Sequence, residues 1–136
     1  ASLRLGMAFA DPILIRLLNK IKPPYNIGGA TQKIALAALA NKTFVKESID
    51  LIESEKNNLI SKLNSLVDVI HVFPSQANFL LVKFRDAQKL FDYLISQKVI
   101  TRNRTNVSLC EGSIRITIGL PDENAYLLKK ITDFYA

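Results

Sequence analysis

The sequence predicts an α+β domain, a mostly antiparallel sheet covered on one face by helices, over residues 42–136. Two observations point to it. From Thr43 onward apolar residues recur with helical spacing in three stretches and with strand spacing in four, in the order α, β, β, α, β, β, α. None of these stretches is interrupted by a flexible linker or a repeat. A third observation sets residues 1–41 apart: residues 30–40 are apolar almost all round and rich in alanine, so a helix there needs covering by a larger body than residues 1–41 can make themselves. The boundary is expected at Asn41–Lys42.

Taken in order, Ser2 to Ala10 is short and β-prone, and reads as the end of something longer. Asp11–Pro12 is a helix start, a capping carboxylate followed by proline at the first helical position. Leu14, Leu17, Leu18 and Ile21 then follow at i, i+3, i+4 and i+7 until Lys22-Pro23-Pro24 ends the helix. The loop through Tyr25 to Gly29 is stiff first and permissive later, suited to wrapping a ligand or a neighbouring subunit or serving as a plain connector. Residues 30–40 are expected to form a buried helix.

Residues 43–67 read as one long helix with Val45, Ile49, Ile52, Leu59, Leu63 and Leu66 as its apolar stripe and Lys56 as the interruption. Residues 69–73 read as a strand, Pro74-Ser75-Gln76 as a turn, and 77–84 as a second, largely buried strand. A helix is expected over 87–97, burying Leu90, Phe91, Leu94 and Ile95. The last helix starts at Pro121-Asp122-Glu123, acidic in its first turn, turns Leu127, Leu128, Ile131 and Phe134 inward, and carries Lys129–Lys130 late, as the helix dipole prefers.

Composition narrows the function classes. Hydrophobic content of 49% against 22% charged describes a globular chain, and no apolar run approaches the roughly 20 residues of a membrane span. The first ten residues lack a signal-peptide pattern, so a cytoplasmic location is expected. Cys110 is the only cysteine and His71 the only histidine, which leaves no internal disulfide, no paired-cysteine metal site and little support for a histidine-dependent triad. A net charge of +6 raises nucleic acid as a partner. The lysines are scattered singly and no basic run interleaves with aromatics, so neither a nucleic-acid nor a membrane partner is expected.

The excess charge is better read as arginines holding an anion. Arg102 leaves the β-rich run Val99-Ile100-Thr101, and Arg115 sits within Ser113-Ile114-Arg115-Ile116-Thr117-Ile118, which alternates with period two; thirteen residues separate them. If the two strands are neighbours, with Glu111–Gly112 as the turn, both guanidinium groups can point at one small anion. Guanidinium suits this task because its planar fork pairs two oxygens at once and stays protonated. Spacing alone leaves open that Arg115 is only a polar residue on a solvated strand face. Arg104 is expected to face solvent.

Five segments, in register over essentially the whole chain, carry a resemblance: Ala1-Ser2-Leu3-Arg4-Leu5-Gly6, Lys22-Pro23-Pro24-Tyr25-Asn26, Ala77-Asn78-Phe79, Arg102-Asn103-Arg104, and Cys110 through Gly119. Together they resemble the C-terminal part of histidinol-phosphate aminotransferases, in the aspartate-aminotransferase-like class of pyridoxal-phosphate enzymes. The resemblance implies that residues 1–41 are a remnant of the α/β cofactor-binding large domain and 42–136 the small domain. It implies pyridoxal 5'-phosphate as cofactor, with Arg4 matching the arginine that holds its phosphate, although Ser2 replaces the usual glycine. The Schiff-base lysine would lie about eight residues before Arg4 and so upstream of Ala1; this polypeptide by itself is then expected to be inactive. Arg115 matches the arginine that takes the substrate carboxylate, Arg102 would add the contacts a phosphate ester needs, and Asn78 and Tyr25 fall in motifs that line the family's cleft. Histidinol phosphate and glutamate are the implied substrates, and a homodimer the implied assembly. A threonine-phosphate decarboxylase is the nearest alternative, and a cofactor-free anion-binding module the alternative of another class, in which the Arg4 motif would have no purpose.

Overall fold

A computed structural model describes residues 3–136; the replacement noted at Ser2 lies outside them. The chain divides into two compact units within one helix, the first ending at Glu47 and the second running Ser48–Ala136.

In the first unit, α1 (Pro12–Ile21) starts where expected: the Asp11 carboxylate accepts the Ile13 N–H at 2.7 Å and Pro12 takes the first position. α2 (Gly29–Ala40) follows. Residues 4–10 form no strand, contrary to their β-propensity, because no partner strand lies among the described residues of this unit to satisfy their backbone. The expected burial of α2 is also corrected. Neither helix has a buried residue, and Ile13, Leu17, Ile21, Ile34, Leu36 and Leu39 are all exposed. Two short helices cannot supply the second layer that an apolar surface needs.

From Lys42 onward the chain follows the predicted element order: α3 (Lys42–Asn64), within which the second unit begins, β1 (Val69–Val72), β2 (Phe79–Phe84), α4 (Ala87–Ser96), β3 (Arg102–Asn103), β4 (Ser113–Thr117) and α5 (Pro121–Tyr135). The four strands form one antiparallel sheet in the order β1-β2-β4-β3. Burial along β2 alternates strictly: Leu80, Val82 and Phe84 are enclosed while Phe79, Leu81 and Lys83 are half-exposed, so this strand is buried on one face and not throughout. With Ile114 and Ile116 of β4, those inward residues meet Leu59 and Leu63 of α3, Leu90 and Leu94 of α4, and Leu127 and Ile131 of α5 in a single core.

Lys56, the interruption in the α3 stripe, is enclosed and donates to the Glu53 carboxylate at 2.7 Å. One turn of α3 also inserts a carboxylate into the protein. Glu55 Oε2 accepts from Asn124 Nδ2 (2.7 Å), and the same amide group bonds both the N–H (3.0 Å) and the C=O (2.9 Å) of Gly119. Gly119 has no room for a side chain, since a Cβ would lie 2.7 Å from Glu123 Oε2. That carboxylate accepts the Leu120 N–H at 2.8 Å and caps α5. α5 runs on to Tyr135, which leaves Lys129 and Lys130 mid-helix and not in its last turn.

Candidate functional site

The strand expected at Val99–Thr101 lies instead at Arg102–Asn103. Lys98 takes a left-handed φ of 62° after α4, its N–H bonds Ile95 O, and the Val99 N–H bonds Leu94 O at 2.8 Å. This is a Schellman closure with lysine where glycine is usual, and it spends the backbone of Val99 on the helix end. Ladder pairing with β4 therefore begins at Arg102. The chain returns through the turn Cys110–Ser113, where the Ser113 N–H bonds Cys110 O and Gly112 supplies a φ of 71°; Glu111 and Gly112 are the turn residues expected.

The register brings Arg102 and Arg115 directly opposite each other, with Asn103 opposite Ile114. Cross-strand partners lie on the same face, so both arginines stand on the face that the helices leave open. Leu81 is opposite Arg115 on its other side, and Phe79 is the diagonal neighbour. The Arg115 guanidinium carbon lies 4.9 Å from the centre of the Phe79 ring, a cation–π contact that holds the fork over the sheet. Arg115 Nε is enclosed and has no hydrogen-bond partner. Among the described residues neither arginine takes part in an ion pair. Like charges directly opposite on neighbouring strands oppose folding, and a buried donor without an acceptor does so as well. An anion with several oxygens relieves both penalties at once.

Arg104, expected in solvent, is partly buried; its N–H bonds Ser113 O at 3.0 Å and prolongs the β3–β4 ladder. Asn78 is exposed just before β2, and its carbonyl accepts the N–H of Ile118, just after β4, at 2.9 Å, prolonging the pairing of the two strands. His71 stands opposite Lys83 on the open face, its ring edge-on to Phe73, as expected of a sheet-face residue. Phe79 was not singled out from sequence as a site residue. The alternation of β2 puts it on the same face as Leu81, but only the β2–β4 register sets it beside Arg115. A cavity of about 310 Å³ lies elsewhere in this unit, between residues 98–101, the end of β4 and α5, and includes neither arginine.

Arg4 and Tyr25 belong to the first unit. Both are exposed, and both have left-handed backbone, φ 52° and 55°, a conformation uncommon outside glycine and asparagine. Arg4 forms no ion pair among the described residues, and Gly6 nearby has nothing within 4 Å of where a Cβ would stand. An unpaired guanidinium beside open backbone fits the phosphate end of pyridoxal phosphate. Among the described residues no cluster of histidine, cysteine and carboxylates could hold a metal ion, and no helix is long and apolar enough to cross a membrane.

Residues 1–131 match the family model for aminotransferases of class I and II. The chain belongs to that family. Among its relatives, the histidinol-phosphate aminotransferase of Cytophaga hutchinsonii is 45% identical over 128 residues, 94% of this chain and 37% of that protein. The chain thus spans a little over a third of the length of the relatives it matches. Its fold is found in the crystal structure of the histidinol-phosphate aminotransferase from Clostridium acetobutylicum, with a TM-score of 0.78 at 23% identity over 90% of this chain and 37% of that one. It is found equally in L-threonine-O-3-phosphate decarboxylase from Porphyromonas gingivalis, TM-score 0.76 at 22% identity, 93% of this chain and 40% of that one. The resemblance read from the five motifs therefore holds over nearly the whole chain.

Proposed function

We propose that this chain is the C-terminal part of a pyridoxal-phosphate-dependent histidinol-phosphate aminotransferase, which interconverts histidinol phosphate plus 2-oxoglutarate and imidazole acetol phosphate plus glutamate in histidine biosynthesis. The observation that carries the reading is the Arg102–Arg115 pair, opposed across β3 and β4 without an acidic partner among the described residues. Histidinol phosphate carries a phosphate ester where glutamate carries its α-carboxylate, so one site must take both. Arg115, steadied on Phe79, holds either anion; Arg102 adds the hydrogen bonds that a dianion with three free oxygens can use.

Arg4 holds the cofactor phosphate. Pyridoxal phosphate supplies, when bound, the carbonyl that takes up the amino group and the conjugated ring that withdraws electrons from the substrate. The lysine that anchors it belongs to the part of the enzyme upstream of this chain, so residues 1–136 alone do not transaminate. Asn78 and Tyr25 line the substrate cleft, residues 1–41 are part of the cofactor-binding domain and 42–136 the small domain of a cytoplasmic homodimer.

The test is Arg115→Ala in the full-length enzyme, with both half-reactions followed in single turnover. Losing a charge-assisted pair from both substrates should lower kcat/KM for each by roughly 2–4 kcal/mol. Equal rates in variant and wild type would remove Arg115 from the site. Release of carbon dioxide from threonine phosphate, without transamination of histidinol phosphate, would favour the decarboxylase.

A further inference from the structure

Arg102 stands on the open face, but what holds its strand lies on the other. β3 has two residues, sits at the sheet edge and makes two ladder pairs, and one of those pairs sets two positive charges opposite each other. A strand so short is weakly held by its backbone alone. Asn103 alternates to the opposite face, and its Nδ2 donates to Gln88 Oε1 at 2.8 Å, on the first turn of α4. The Thr105 hydroxyl lies 3.1 Å from the same Oε1 and 2.6 Å from Asn103 Oδ1, which also accepts the Thr105 N–H at 2.8 Å. Gln88 cannot turn its amide freely. Its Nε2 donates to both oxygens of Asp92, at 3.0 and 3.1 Å, one turn along the same helix. A carboxylate only accepts, so Asp92 fixes the donor end of Gln88 and presents the acceptor end to Asn103.

We propose that Gln88 is a positioning residue for Arg102, and that the Asp92–Gln88–Asn103 chain sets how well the site distinguishes a phosphate ester from a carboxylate. The inference rests on the two-arginine reading above. Gln88 touches no ligand; it keeps β3 in register, and with it the second guanidinium. Arg115 does not depend on it, because β4 is an inner strand paired over five residues with β2. Loosening the latch therefore withdraws Arg102 and leaves Arg115 in place. The consequence falls on the substrate that uses both.

Gln88 is exposed, so its replacement leaves the core intact. In the full-length, cofactor-loaded enzyme, single-turnover kcat/KM should be measured for histidinol phosphate and for glutamate in Gln88→Ala, Arg102→Ala and the double variant. Losing these hydrogen bonds should lower kcat/KM for histidinol phosphate roughly three- to tenfold in Gln88→Ala, with under about twofold for glutamate. In the Arg102→Ala background the same change should cost nothing further, since the group it positions is gone. Amide exchange at Arg104, which bonds Ser113 O, should quicken in Gln88→Ala. If Arg102→Ala is selective and Gln88→Ala is not, the latch is wrong and the two-arginine reading stands. An equal loss for both substrates assigns Gln88 a merely structural role and overturns the proposal. If Arg102→Ala itself leaves selectivity unchanged, the two-arginine reading fails and the latch fails with it.

Discussion

The two faces of the one sheet are built from alternate residues of the same strands and have opposite chemistry. On the helix-covered face Leu80, Val82, Phe84, Ile114 and Ile116 are no more than 1% exposed. On the open face Phe79, Leu81, Lys83 and Arg115 are half-exposed, and Arg102 and His71 are exposed. Stability is concentrated on the first face, while the second carries a like-charge pair and an unsatisfied donor that both oppose folding. A one-residue slip of β4 would exchange the two sets, bringing Arg115 into the core and Ile114 and Ile116 out of it. The burial of the first face is thus what keeps the arginines on the second.

The largest effect is expected on the covered face. Leu63 is fully enclosed between α3 and the sheet, and Leu63→Ala should destabilise the full-length protein by roughly 2–5 kcal/mol through lost burial and the cavity left behind. Denaturant unfolding measures the loss. The ratio of the two half-reaction rates should stay unchanged below the melting transition. A shifted ratio with an unshifted transition would show that the two faces are not separable.

A smaller effect is expected where β4 meets α5. Asn124 is enclosed and is the donor to the Glu55 carboxylate, itself mostly buried. Asn124→Leu leaves a buried carboxylate without that donor and frees both backbone groups of Gly119, which should cost about 1–3 kcal/mol. The same measurement in Glu55→Gln/Asn124→Leu should recover part of it, because the orphaned charge is removed. No recovery would mean that the contacts to Gly119 carry the effect.

Much of this architecture was legible in the sequence because it rests on periodicity. The alternation from Ile114 to Ile118 and the Asp11–Pro12 start are local signals that persist in the structure, whereas Ser113, read as the polar start of that run, is enclosed beside Ile114. The expected strand at Val99–Thr101 failed on a local signal of another kind. Those residues are β-prone, but Lys98 closes α4 in a left-handed conformation that no glycine announced. Burial of α2 was inferred from its apolar composition, yet apolar composition states only what a helix requires and not whether these residues supply it. At the site, the spacing of Arg102 and Arg115 was visible, while their direct opposition, the Phe79 ring beside Arg115 and the Gln88 latch all depend on register between segments far apart in sequence. Arg4 and Tyr25 stand in the other unit, so their link to the pair rests on the family resemblance.

The smallest expected effect is the one that sharpens the contrast most. Arg102 opposes Arg115 with no anion among the described residues to offset it, and an exposed edge position favours a β-branched residue over a charged one. Arg102→Thr should therefore stabilise the full-length protein by about 0.2–1 kcal/mol, a change of opposite sign to those made on the covered face. The gain should shrink as salt is raised, since the repulsion it removes is screened at the surface. Inorganic phosphate should reverse the ranking: binding only to the folded state, it raises the melting temperature of the wild type more than that of Arg102→Thr. A variant that is less stable than wild type in the absence of anions would show that Arg102 is held for its own packing. A more stable variant that loses preference for the phosphate ester would show that the open face keeps this charge for binding, at the expense of stability.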